Sequence, residues 1–157
     1  MKTIAFIITV FFSISGYSQT AKAFAAIDTD EVPNEVRMAF KDMEPEHSAD
    51  SWRVERTTYE VKFEKDDHWV FHRFNDEGLY LETRTLKSWG EDASEEIKEG
   101  KKKTTYKYYD VIAFYEAKTA DKDIYYVLML EDEETNDLQT LYFENDGSLR
   151  DKSKSGF

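Results

Sequence analysis

From Trp52 onward apolar residues fall at every second position, and that period dictates what the chain can become. Trp52 and Val54 alternate with Arg53 and Glu55, and Tyr59, Val61 and Phe63 alternate with Glu60, Lys62 and Glu64. Successive side chains of a strand point to opposite sides, so such runs make half-buried antiparallel strands. Further runs bounded by turn residues place strands at 68–74, 79–85, 108–117, 123–131 and 137–144. Two stretches break the period. Val32-Pro33 opens one of them, with Asp28, Thr29 or Asp30 available as a cap and Val36, Ala39, Phe40 and Met43 at helical spacing before Pro45. The other, 88–99, sets Ala93 and Ile97 four apart, with Gly100 where a helix should stop.

A turn is written twice. FNDEGLYL at 74–81 returns as FENDGSL at 143–149, a Phe followed four positions later by Gly in each (Phe74 to Gly78, Phe143 to Gly147). Tyr59, Val61 and Phe63 align with Tyr125, Val127 and Met129. The expectation is an α+β chain of two tandem helix-plus-antiparallel-meander units, 31–86 and 87–157, forming one continuous curved sheet with helices on one face.

The ends and the charge bound the function. Residues 1–18 have a short basic start at Lys2, an apolar stretch from Ile4 to Phe12 and then small or polar residues, the pattern of a secretory signal peptide. That stretch is too short to span a bilayer, which takes about 20 residues. Cleavage after Ser18 would leave Gln19 leading a loosely held segment, 19–30, of a periplasmic or secreted protein without membrane insertion. The chain has 33 acidic against 21 basic residues and a net charge of −12. Losing Lys2 makes the mature protein one unit more negative. Nucleic acid, whose binding needs phosphates neutralised by Lys and Arg, is excluded as a partner. The basic run Lys101-Lys102-Lys103 reads as a solvated loop. There is no cysteine, so no thiolate metal site and no cysteine nucleophile.

The pattern VPxxVxxAF at 32–40, Trp52 about a dozen residues on, YEVKF at 59–63, then a strand closing on Phe74 and an acidic turn, is similar to the PepSY-like family of exported bacterial proteins. Members of that family resemble the beta-lactamase inhibitor protein in fold. The likeness covers nearly all of 31–150, but no Val-Pro opens the second helix, and the counterpart of Trp52 there is Val111 or Ile112. The resemblance implies a non-enzymatic, exported protein that binds something, inhibitor-like, and it offers no catalytic residues.

The residues themselves agree in offering no catalytic set. His68 and His72 share one side of a strand but stand roughly 13 Å apart, too far to ligate one ion. Hard oxygen donors do sit on turns, at Asp76, Glu77, Asp132, Asp137 and Asp146, as calcium requires, which makes a calcium-responsive envelope protein the alternative reading. Asn-Asp-Gly is equally what a tight hairpin turn demands. The anomaly lies on the strands: 108–117 and 123–131 are apolar on both sides. With Tyr59, Val61, Tyr125 and Val127 turned toward the helices, the opposite side carries Trp69, Phe71, Arg73, Tyr80, Tyr126, Leu128 and Tyr142. Trp, Tyr and Arg are the composition of a protein interface. A protein or peptide partner, or a second copy of the chain, is expected there, with no cofactor.

Overall fold

The alternating runs become strands at nearly the positions their period dictates. The computed structural model describes residues 25–151, so the segment 1–18, read above as a signal peptide, lies outside the described residues. The strands are β1 (Ala25–Ile27), β2 (Ser51–Glu55), β3 (Thr58–Lys65), β4 (His68–Asn75), β5 (Tyr80–Lys87), β6 (Asp110–Thr119), β7 (Ile124–Asp132) and β8 (Asp137–Phe143). Two short helices accompany them, α1 (Asn34–Met43) and α2 (Glu95–Lys102).

The expectation of two tandem helix-plus-meander units is overturned. All eight strands lie in one antiparallel sheet in the order of the chain, β1 to β8. The sheet is curled and dominates the molecule. Across the expected boundary at 86/87, β5 and β6 pair over six residues, from Glu82 with Thr119 to Lys87 with Phe114. The strands thus run on as one meander through 86/87, and the helices that accompany it are short, 10 and 8 residues.

The register fixes which side each residue takes. Val61 pairs with His72 and Val70 with Thr85. Thr85 pairs with Glu116, and Phe114 with Leu128. Those residues share the side on which both helices lie. Val36 and Phe40 of α1 bury with Trp52, Val61, Phe63, Val70 and Phe74. Ala93 and Ile97 of the α2 region bury with Phe114, Leu128, Leu130 and Phe143. A third, smaller cluster of Ala117, Tyr125 and Val127 lies on the opposite side, and no described helix belongs to it.

Three local expectations are corrected. Part of the loose lead-in is ordered, because Ala25–Ile27 pairs with β2 as an edge strand. The second helix starts later than 88, at the Ser94 cap, whose hydroxyl accepts from Ile97 N–H at 3.4 Å. It also runs through Gly100. Lys101, far from a solvated loop, sends its ammonium to the carbonyls of Lys107 at 3.1 Å and Tyr109 at 2.7 Å, closing the segment that leads into β6.

The duplicated turn has a local cause. Gly78 and Gly147 both adopt φ +79°, a left-handed conformation open to glycine. Each also lies against helix backbone. A Cβ on Gly78 would sit 2.6 Å from the Glu35 carbonyl oxygen of α1, and one on Gly147 would strike the Glu96 carbonyl of α2.

Candidate functional site

On the helix-free side, strand pairing places three charged residues in one row: Glu60 of β3 beside Arg73 of β4, and Arg73 beside Glu82 of β5. Arg84 of β5 and Tyr125 of β7 complete a buried network. The Glu82 carboxylate accepts from Arg73 at 3.0 Å, from Arg84 at 2.7 Å, and from the Tyr125 hydroxyl. Arg73 also stands 3.8 Å from Glu60. Burial drives the Glu82 carboxyl up, but the Arg84 and Arg73 guanidiniums and the Tyr125 hydroxyl overcome it and hold the group below the ordinary carboxylate range. Glu60 has no such close donor, and burial leaves its carboxyl above that range despite Arg73. Burial and the Glu82 charge together push the Tyr125 phenol well up.

Aromatic rings flank this network. The Lys62 ammonium lies 3.5 Å over the Trp69 ring, Phe71 meets Tyr115 edge-on at 5.5 Å, and Tyr125 meets Tyr142 at 6.1 Å. Arg150 lies 4.6 Å over Tyr125 and joins Asp123 at 2.6 Å and Glu144 at 3.0 Å. The charges are thus fixed within the sheet, and Trp69, Lys62, Tyr115 and Tyr142 are the partly exposed groups around them.

The helix side holds a different feature. The two helices cover opposite ends of the sheet, and a cleft of about 500 Å³ lies between α1 and the β6–β7 turn, over β5. Its floor carries a hydrogen-bonded chain. His72 Nε2 meets the Glu44 carboxylate at 3.1 Å, its Nδ1 meets the Thr83 hydroxyl at 2.7 Å, and Thr83 meets the Tyr80 hydroxyl at 2.7 Å. A carboxylate only accepts, so Nε2 carries the proton, and the neutral ring accepts from Thr83 at Nδ1. Burial outweighs Glu44 and sets the His72 pKa below its ordinary value. Glu44 is also held by Lys65 at 2.8 Å; burial raises its carboxyl, but the bonds from Lys65 and His72 prevail and keep it low.

The expected contact residues divide between the two sides. Trp69, Phe71, Arg73 and Tyr142 do share the helix-free side, with Phe71 and Arg73 buried within it. Tyr80 lies on the helix side beside Phe74 and His72. Leu128 is fully buried under α2, and Tyr126 stacks on Phe114 at 5.7 Å on that same side. For Leu128 and Tyr126 the cause is a one-residue error in aligning the two halves: the core counterpart of Val61 is Leu128, not Val127, and a one-residue slip exchanges every side chain between sides. Tyr80 is turned by the irregularity in the β4–β5 register, where Arg73 pairs with Glu82 but Phe74 with Tyr80.

Sequence reading missed Glu60, Glu82, Arg84 and Tyr125. The visible signal was charge at alternate positions of strands whose other side is apolar, and that pattern does not distinguish a solvated row from a buried one.

Among the described residues no three His, Asp or Glu side chains come together in a way that could hold a metal ion. The acids of the calcium reading belong to three separate turns. Asp132 accepts from Glu134 and Thr135 N–H at 3.0 Å, Asp146 from Ser148 N–H at 2.9 Å, and Asp137 from the Tyr109 hydroxyl at 3.0 Å. In the turn of Asp76 and Glu77 it is Asn75 that accepts, from Glu77 and Leu79 N–H.

An eight-stranded antiparallel meander with two short helices on one side defines the fold class. No protein-family model matches the chain, and no curated protein matches it. Solved structures do. A DUF2874 family protein from Bacteroides ovatus superimposes with a TM-score of 0.61 at 17% identity, over 76% of this chain and 84% of its own. A Bacteroides eggerthii protein provisionally assigned to the periplasm gives 0.62 at 12% identity, over 76% and 86%. A BLIP-like protein from Bacteroides fragilis gives 0.55 at 17% identity, over 76% and 84%. At these identities the likeness is one of fold, and the fold is BLIP-like. Membership of the PepSY-like family is shown by none of the three.

Proposed function

We propose that this chain is an exported, non-enzymatic protein that binds a protein or peptide partner through the helix-free side of its sheet, and that it stands with the PepSY-like exported proteins. The observation that carries the reading is the arrangement around Trp69: an indole under a Lys62 ammonium at 3.5 Å, beside the Phe71–Tyr115 pair and over a row of buried, mutually fixed charges. Rigid aromatic anchors set among ordered charges are what concentrates binding energy at interfaces. The BLIP-like fold supports a binding role, and the provisionally periplasmic neighbour and the pattern of residues 1–18 support export. Among the described residues no helix is long and apolar enough to cross a membrane.

The test is capture from envelope extract with the wild-type protein, Trp69→Ala and Tyr126→Ala, the last from the helix side. Trp69→Ala weakens capture by about 2 kcal/mol, roughly 30-fold, with the melting temperature within a few degrees of wild type. Tyr126→Ala leaves capture intact. Capture that ignores Trp69→Ala while Tyr126→Ala abolishes it places the contact on the other side and defeats the reading.

A further inference from the structure

The cleft between α1 and the β6–β7 turn has features that packing of the sheet alone does not call for. Its floor interrupts two apolar cores with polar side chains, Thr83 and Thr85 of β5 facing Lys118 and Glu116 of β6. Glu116 and Lys118 are opposite charges on the same side of one strand, two residues apart, and neither joins an ion pair among the described residues. Two residues of strand separate them by about 7 Å. Lys122, at the β6–β7 turn, adds a second cation at the Lys118 end of the cleft. Along the opposite wall, beside the Glu44–Lys65 ion pair and Asp66, Met43 and the largely buried Val70 supply apolar surface, Met43 remaining 42% exposed. His72, already held by Glu44 and Thr83, closes the floor as a neutral group that competes for neither charge.

We propose that this cleft binds a dipeptide-sized zwitterion lying along β6, with its ammonium at Glu116, its carboxylate at Lys118 and Lys122, and an apolar side chain against Met43 and Val70. An extended dipeptide spans about 7 Å between its ends, matching the separation of the two charges. The cleft volume of about 500 Å³ falls in the range of small-molecule sites. Opposite charges at the two ends select for a ligand that carries both, because a ligand lacking one end forfeits one of the two charge pairs. The site lies on the side of the sheet opposite to Trp69, so it stands or falls separately from the partner surface.

The probe is alanyl-leucine, titrated into the isotopically labelled protein at millimolar concentration and followed by amide chemical shifts. N-acetylated and C-amidated forms of the same dipeptide serve as single-charge controls. Binding shifts the amides of Thr83, Thr85, Glu116 and Lys118, and each blocked form binds at least about tenfold more weakly. Glu116→Gln and Lys118→Gln each weaken the unblocked dipeptide by a similar factor while the melting temperature stays put. Should either variant fail to fold, the blocked dipeptides on the wild-type protein decide. No shift at millimolar dipeptide, shifts confined to other strands, or equal binding of blocked and free forms overturns the assignment.

Discussion

His72 and Glu82 are both buried hydrogen-bonding groups, yet they respond to change in opposite ways. His72 has its pKa lowered by burial against the pull of Glu44, with Lys65 and His47 the other titratable groups facing it. Well above about pH 6.5, the ordinary histidine value, the ring is neutral in both the folded and unfolded chain and stability does not depend on it. As the pH falls below that value, the unfolded chain takes up a proton that the folded chain resists. Stability therefore drops until folded His72 protonates as well. Urea midpoints should be level from about pH 8 to 7.5 and fall progressively as the pH drops through about 6.5, and His72→Gln should flatten that part of the curve. A midpoint that rises between about pH 6.5 and 5 contradicts the assignment. Glu82 matters through its partners. Truncation to Ala leaves the Arg73 and Arg84 guanidiniums without their shared carboxylate, and breaking a buried pair in this way costs about 3 to 5 kcal/mol. Chemical denaturation of Glu82→Ala measures that loss directly, and a cost below about 1 kcal/mol would mean that the network is slack.

Among the elements, the two glycine turns show what is local in the fold and what is not. Both turns were legible as turns, since Asn, Asp and Gly satisfy a tight reversal wherever they occur. That Gly78 and Gly147 also lie against the first turns of α1 and α2 was not legible, because Glu35 and Glu96 are brought there only by tertiary packing. Gly78→Ala and Gly147→Ala each meet both a positive φ and a helix carbonyl, and each should cost more than about 1 kcal/mol. Gly90→Ala is the control: nothing lies within 4 Å of its added methyl, and its change should stay within about 0.5 kcal/mol. Melting the three variants side by side checks the contrast. The strands were read with small boundary errors because a period of two survives a residue gained or lost at either end. The second helix was misplaced for a reason of the same kind: Ala93 and Ile97 fit the spacing, but the Ser94 cap starts the helix between them.

For the whole molecule, the decisive property is that the sheet is continuous from β1 to β8. Val61 and Leu128 are fully buried beneath different helices yet belong to that one ladder. Val61→Asp and Leu128→Asp should each unfold the entire molecule in a single transition, since an unpaired buried carboxylate costs several kcal/mol against a total of about 5 to 15. Two separate calorimetric transitions would mean that the β5–β6 pairing does not join the halves. The division into two units failed because a duplicated turn and two helices suggest it, whereas the six pairs between β5 and β6 that run the strands into a single meander leave no periodic mark of their own. The side assignment in the second half failed with it, one residue of misalignment carrying Leu128 and Tyr126 to the wrong side. The central claim is that the helix-free side of this one sheet is where a partner binds, and hydroxyl-radical footprinting of the protein with and without its captured partner tests it most directly. Protection of Trp69 and Tyr115, with Trp89 and Tyr126 on the helix side unchanged, is the predicted result; protection of Trp89 and Tyr126 with Trp69 and Tyr115 left fully reactive would contradict it.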